Sequence, residues 1–223
     1  MPTFGKPPLP VEETERINEQ VRQILRTIGA VFPEKFWSAG WPQINLGGSA
    51  PDGKPYPLES YKGRLILDMG GFVSSDQSPF PHGPVRLTLV RWGSAPDECG
   101  LIETHSLLNG TAIVSYQRVY IGRDVLFGPE VVIMDSDGHP ADRTLPDITA
   151  TKKIAPVTIE DNAWIGLGAM IMKGVTIGHH AVVAAQALVT KSVPPHCVVA
   201  GNPARIIKDF TEDIKKRAAA GKA

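Results

Sequence analysis

From Ile159 onward the aliphatic positions recur every six residues. The rows read IEDNAW, IGLGAM, IMKGVT, IGHHAV, VAAQAL and VTKSVP. The first position is Ile159, Ile165, Ile171, Ile177, Val183 and Val189; the fifth is Ala163, Ala169, Val175, Ala181, Ala187 and Val193. About a quarter of the chain is Ile, Leu or Val, so six on one phase arise by chance about once in several thousand trials. Upstream, Ile121, Phe127 and Ile133 hold the first position, and Leu101, Leu107, Ile113, Val119, Val125 and Val131 lie on the fifth-position phase. Asn109 and Ser115 stand at first positions there, and the loop DSDGHPADRTLPDITATKKIAP breaks the register between Ile133 and Val157. A period of six suits neither an amphipathic helix nor a hairpin meander. It suits a coil with a short strand and a tight turn on each flat side, and three such sides make a triangular prism with one continuous core.

Outside the repeat, Ile17, Val21, Ile24, Leu25 and Ile28 form one apolar stripe and predict a helix from Val11 to a stop at Gly29. The segment 32–61 holds five prolines and reads as irregular, with Trp37 and Trp41 as packing anchors. Strands are predicted at 64–68 and 85–90. The expected division is 1–62 for the helix and irregular segment, 63–210 for the β-helix with its loop 134–156, and 211–223 for a helical tail capping the open end. Residues 1–10 are proline-rich and expected to be mobile.

Charge and composition narrow the function classes. The 223 residues carry 23 Lys+Arg and 23 Asp+Glu, so a general nucleic-acid binder is not expected. Cys99 and Cys197 make no disulfide framework and no zinc spacing, which makes the reducing cytoplasm the default location. The opening MPTFGKPPLP has no apolar core of a secretory signal, and no apolar run long enough to predict a membrane span is present.

The stretches VYIGRDVLFGPEVVI, DGHPAD, PVTIEDNAWIGLGAMIMKGVTIG, LVTKSVP and VVAGNPARIIK resemble the hexapeptide-repeat acyltransferases. Between Asn109 and Lys208 the chain is similar to galactoside, maltose and nodulation-factor O-acetyltransferases; polysaccharide O-acetyltransferases compare equally well. The resemblance implies an all-β-dominated left-handed parallel β-helix, a homotrimer with grooves between prisms, and acetyl-CoA as donor. It also implies a sugar or glycan hydroxyl as acceptor, with an amine as the alternative. The N-terminal part, 1–100, departs from the family's usual compact helical opening.

The resemblance also assigns residues. His139, in a Gly-His-Pro turn, matches the family's general base, and a neutral imidazole suits that role. Asp135, Asp137 or Asp142 is placed to orient it. Asn109 lies upstream of His139 at the separation of the family's active-site Asn; its other reading is a turn Asn before Gly110. For CoA, the resemblance assigns Trp164, Gly166, Leu167 and Gly168 to the thioester and pantetheine and Ala185 beside that arm. Thr190, Lys191, Arg205 and Lys208 fall to the nucleotide end. Leu167 stands where some relatives have Ser, so only its main chain carries over. Gln117 departs from an acid found in some relatives.

The same prism hosts γ-class carbonic anhydrases, whose zinc is held by histidines of adjacent repeats. His179-His180 and His196 invite a metal reading here, but His179 and His180 are consecutive in one turn and no second His lies one coil away, so no metal is expected. Cys197 reads as a small core residue.

Overall fold

A computed structural model describes residues 10–50, 52–68, 71–73, 83–95, 97–146 and 152–221. The proline-rich segment 1–9 and part of the loop 134–156 lie outside them.

The described residues wind through six coils. The first holds β1 (Trp37–Ala39), β2 (Gln43–Gly47) and β3 (Leu65–Leu67); the second β4 (Gly71–Val73), β5 (Arg86–Val90) and β6 (Ile102–His105). The third holds β7 (Leu108–Asn109), β8 (Ala112–Ser115) and β9 (Val119–Arg123); the fourth β10 (Leu126–Phe127), β11 (Val132–Met134) and β12 (Val157–Ile159). The fifth holds β13 (Trp164–Ile165), β14 (Met170–Ile171) and β15 (Thr176–Ile177). The sixth holds β16 (Val182–Val183) and β17 (Leu188–Val189), and closes where Val193 bridges to Ile177. Each strand pairs in parallel with its counterpart one coil away, so the prism has three faces. The second face runs unbroken through β2, β5, β8, β11, β14 and β17, and the third through β3, β6, β9, β12 and β15. The first face is split into β1-β4-β7 and a second group that begins β10-β13-β16. This is the expected left-handed parallel β-helix with a helix at each end.

The six-residue reading accounts for the core of the later coils. Ile159, Ile165, Ile171, Ile177 and Val183 are fully buried, and so are the small residues Ala163, Ala169, Val175, Ala181 and Ala187. Pairings such as Ile121 with Ile159, and Ile159 with Ile177, place like residues in columns along the rod. Burying one such Ile contributes about 2 kcal/mol, so the stacked columns dominate stability.

The coils begin at Trp37, inside the segment read as irregular, because β1 pairs with β4 and β2 with β5 over Gln43–Gly47. Trp37 and Trp41 are exposed there, and Phe36 is the buried anchor instead. Ile113 pairs with Leu87 and Ile133, so it sits in the first-position column and not on the fifth-position phase. The step from Ile113 to Ile133 is longer than three hexapeptides, and this shifts the lattice upstream.

Helix α1 (Val11–Thr27) buries Ile17, Val21 and Leu25 in the same core, while Ile24 on the predicted stripe stays exposed. Buried Asn18 accepts a hydrogen bond from the Ser38 N–H at 2.5 Å, which pins the helix to β1. Gly29 ends the helix with φ +66°, where a side chain would be strained. At the other end β18 (Cys197–Ala200) joins the first face beside β16, and β19 (Arg205–Asp209) returns antiparallel on it. Helix α2 (Thr211–Ala219) follows β19 and buries none of its residues. Among the described residues no helix is long and apolar enough to cross a membrane.

Candidate active site

His139 projects from the loop that leaves the edge between the second and third faces. The loop has a closed neck. Ser136 bridges to Ile154, the Asp137 N–H donates to the Lys153 carbonyl at 3.0 Å, and the Ala155 N–H donates to the Asp135 carbonyl at 3.0 Å. The Lys173 ammonium of the next coil holds the Asp137 carboxylate. Gly138 adopts φ +73° and Pro140 is buried, so the exposed imidazole is carried on a short, anchored turn.

Asp135 is the anchor beneath it. Its carboxyl is fully buried and accepts from the N–H groups of Tyr116 (2.7 Å), Gln117 (2.8 Å) and Arg118 (2.8 Å) and from the Ser115 hydroxyl (3.0 Å). Burial pushes its pKa above the ordinary carboxylate range, against the opposing pull of these donors. The acid thus fastens the His139 loop to the tight corner of the coil before. Asp142 accepts from the N–H and hydroxyl of Thr144. All three acids considered for orienting His139 therefore hold partners within the loop or the coils beside it.

Asn109 ends β7 at the edge between the first and second faces. The inward residue of that strand is Leu108, fully buried, so Asn109 does not occupy the inward lattice position assigned from the repeat. It stands where the ladder of the first face is interrupted between β7 and β10. Its Nδ2 reaches across the break to the Phe127 carbonyl at 3.4 Å. Its Oδ1 is buried with no partner, a rarity shared among the described residues only by Arg91 Nε.

The CoA-assigned residues divide between the two edges of the second face and the first face. Gly166, Leu167, Gly168 and Ala185 lie at the edge shared with Asn109; Trp164 leads into it on the first face. Thr190 and Lys191 lie at the edge shared with the His139 loop, and both are exposed. Arg205 and Lys208 are exposed on β19, with the Lys208 ammonium 4.4 Å from the Phe210 ring centroid. Asn109 and His139 are thus rooted at opposite ends of the second face, separated by about 16 Å of extended chain.

At the Asn109 edge the glycines are dictated by coil stacking. A Cβ on Gly128 would meet the Leu167 nitrogen at 2.4 Å, and one on Gly166 would meet the Ala185 nitrogen at 2.5 Å. Gly166→Ala should therefore lower stability by about 2–3 kcal/mol, read as a drop in unfolding midpoint. A wild-type midpoint for this variant would contradict the stacking argument. The N–H groups of Trp164, Gly166 and Gly168 donate to the carbonyls of Ala181, Val183 and Pro129, so these three are committed within the coils. The Trp164 and Leu167 side chains are exposed at this edge.

A cleft of about 1300 Å³ opens over the Tyr116–Arg118 corner. No sequence motif marks it. The second coil's insertion supplies Trp92, Asp97 and Glu98, and the His139 loop supplies Lys152 and Ile154. The cleft forms because the third coil turns this corner tightly while its neighbours carry long insertions.

The third edge, between the third and first faces, gathers His179, His180 and His196. Contrary to the expected spacing, a further His lies one coil away: the His196 N–H donates to the His179 carbonyl at 3.1 Å. His180 and His196 are closer in sequence than three hexapeptides, because the sixth coil is short. Cys197 is buried, and burial raises its thiol pKa, consistent with a core role.

Comparison with known proteins bears on the same coils. Residues 156–191 match the bacterial transferase hexapeptide (six repeats) family. The chain is 39% identical over 103 residues to galactoside O-acetyltransferase of Escherichia coli K12, covering 46% of this chain and 50% of that one. It is 45% identical over 78 residues to 2,3,4,5-tetrahydropyridine-2,6-dicarboxylate N-acetyltransferase of Staphylococcus aureus, covering 34% and 33%. The chain spans about half the length of the first curated relatives it matches. In fold it is similar to a hexapeptide-repeat acetyltransferase of Vibrio cholerae, solved in complex with acetyl coenzyme A. The TM-score is 0.50 at 20% identity, over 89% of this chain and 83% of the other.

Proposed function

We propose that the protein is an acetyl-CoA-dependent O-acetyltransferase that acts on a sugar or glycan hydroxyl and works as a homotrimer. The observation that carries this reading is the placement of the candidate residues along the two edges of one sheet face. Asn109, Gly166–Gly168 and Ala185 line one edge; His139, Thr190 and Lys191 line the other. Packing two prisms side by side brings one edge of each together, and closed symmetry then generates identical grooves. The exposed apolar residues favour such packing. Leu126 (66% exposed) and Trp164 (53%) are paired on the first face, and Leu167, Val132 and Met170 continue the band around the corner.

In the groove, His139 accepts the proton of the acceptor hydroxyl as its oxygen attacks the thioester carbonyl carbon. The tetrahedral oxyanion collapses, the C–S bond breaks, and the imidazolium returns the proton to the departing thiolate. No covalent enzyme intermediate forms. Asn109, with its amide at the break in the ladder, is suited to meet the acceptor or the reacting carbonyl. Thr190, Lys191, Arg205 and Lys208 offer hydroxyl and cationic partners to the nucleotide phosphates. The cleft beside the loop, with Trp92, Arg118 and Glu98, offers the acceptor an aromatic surface ringed by polar groups. The likeness to galactoside O-acetyltransferase favours a hydroxyl; the likeness to an N-acetyltransferase makes an amine the second reading.

Thiol release from acetyl-CoA, followed across a panel of mono- and oligosaccharides and amino sugars, tests the proposal. Release dependent on a sugar is expected. Release that occurs only with amines supports the second reading, and no CoA binding at millimolar concentration contradicts both.

A further inference from the structure

The edge opposite the candidate active site has its own chemistry. Successive corners between the third and first faces are turned by a residue in the left-handed region: Asp124 (φ 54°), Asn162 (φ 60°), His180 (φ 56°) and His196 (φ 61°). Asp and Asn are ordinary there; histidine is less so. The corners are stacked by hydrogen bonds, Asn162 N–H to the Arg123 carbonyl, His180 N–H to Asp161 and His196 N–H to His179. His180 and His196 therefore occupy successive rungs of one column, about 5 Å apart as paired strands are. His179 precedes His180 in the same corner and faces them both.

The three rings converge. Ring centroids are 4.7 Å apart for His179 and His196, 5.2 Å for His180 and His196, and 5.4 Å for His179 and His180. His179 stands nearly perpendicular to both others, at 86° and 88°, so the rings do not stack face to face. One nitrogen from each ring can be chosen so that all lie within 4.8 Å of one another. The Nδ1 atoms of His179 and His180 are 3.2 Å apart. A tetrahedral zinc ion with Zn–N bonds of about 2.0–2.1 Å needs nitrogens about 3.3 Å apart. One edge of that tetrahedron is thus in place, and the rings must turn to bring nitrogens now within 4.8 Å to that spacing.

We infer that His179, His180 and His196 form a divalent-metal site within one chain, fitted to Zn²⁺ and to related late first-row ions. Three imidazoles select such borderline cations over Mg²⁺ or Ca²⁺, which require oxygen ligands. Three ligands leave a fourth position to water or an anion, and Arg217, which shares a depression with His180 and His196, favours an anion there. Burial, then the two neighbouring rings, lower the His196 pKa. The Glu160 carboxylate accepts from the His179 N–H at 2.8 Å and fixes the backbone beneath the ring. The ion would clip the fifth coil to the strand that opens the C-terminal hairpin. It lies on the edge remote from both Asn109 and His139, so its role is structural.

The test uses untagged, chelator-treated full-length protein titrated with Zn²⁺ against a chromophoric indicator. One Zn²⁺ per chain is expected, with Kd of about 10 μM or tighter and a rise in unfolding midpoint on loading. Co²⁺ should give the intense visible absorption of tetrahedral coordination. His180→Asn and His196→Asn keep a residue that tolerates the left-handed corner, and each should weaken Zn²⁺ binding at least about tenfold. His179→Gln, at an ordinary backbone position, should do the same. Wild-type Kd weaker than about 0.1 mM overturns the inference, and so does binding that survives all three substitutions.

Discussion

His139→Ala is expected to lower kcat for acetyl transfer by about 10²–10⁴-fold, the usual contribution of a positioned general base. The unfolding midpoint should move by no more than about 2 °C, because the side chain is exposed on its turn. Binding of CoA, measured by calorimetry, should persist, since the residues assigned to the donor are rooted in other coils. His139→Gln, which keeps polarity but not basicity, should be as impaired as alanine. Coupled thiol release measures both variants. Wild-type turnover in either would remove the imidazole from the proposed mechanism.

Asp135→Ala should have the largest effect on stability. It strips the acceptor from three backbone N–H groups and a hydroxyl, all fully or partly buried. Each buried donor left unpaired costs about 1–3 kcal/mol, and water entering the space recovers part, so a net loss of about 3–5 kcal/mol is expected. The midpoint should fall by about 10 °C or more. The damage should reach the chemistry, because Asp135 ties the base of the His139 loop to the Ser115–Arg118 corner. Asp135→Asn keeps one carbonyl oxygen but turns an NH₂ group toward donors, so it should recover little. Chemical denaturation of the three proteins measures this. A loss below about 1 kcal/mol would mean that the carboxylate is not the staple its contacts describe.

The later coils are legible in the sequence because nothing interrupts them. Ile159 to Val189 keep one phase, each coil spans three hexapeptides, and the repeat alone specifies which side chains face inward. Legibility fails where a coil is longer or shorter than three hexapeptides. The step from Ile113 to Ile133 is two residues longer than three hexapeptides and the step from Leu108 to Ile113 one residue shorter than one, so Leu108 and not Asn109 fills the inward position. The sixth coil is short, which hides the stacking of His180 under His196. The signal that finds it is the corner column itself: Asp124, Asn162 and His180 each stand before a small or aliphatic residue that begins the next side. Trp37 to Gly47 read as irregular because prolines mask two short strands whose partners lie a full coil away in sequence. The cleft over Tyr116–Arg118 is not legible, since it depends on unequal insertions at one edge of adjacent coils. The site assignments come from the match of short turns to a family; the fold adds that they divide between two edges of one face.

That division is the centre of the account, and mixing two inactive variants tests it most directly. Asn109→Ala and His139→Ala chains, each expected to be nearly inactive, are co-expressed and purified together as an oligomer carrying both. If each groove takes Asn109 from one copy and His139 from its neighbour, random assembly restores both residues in about a quarter of the grooves, and about a quarter of wild-type acetyl transfer returns. Mixed oligomers no more active than the separate variants would contradict a site shared between copies.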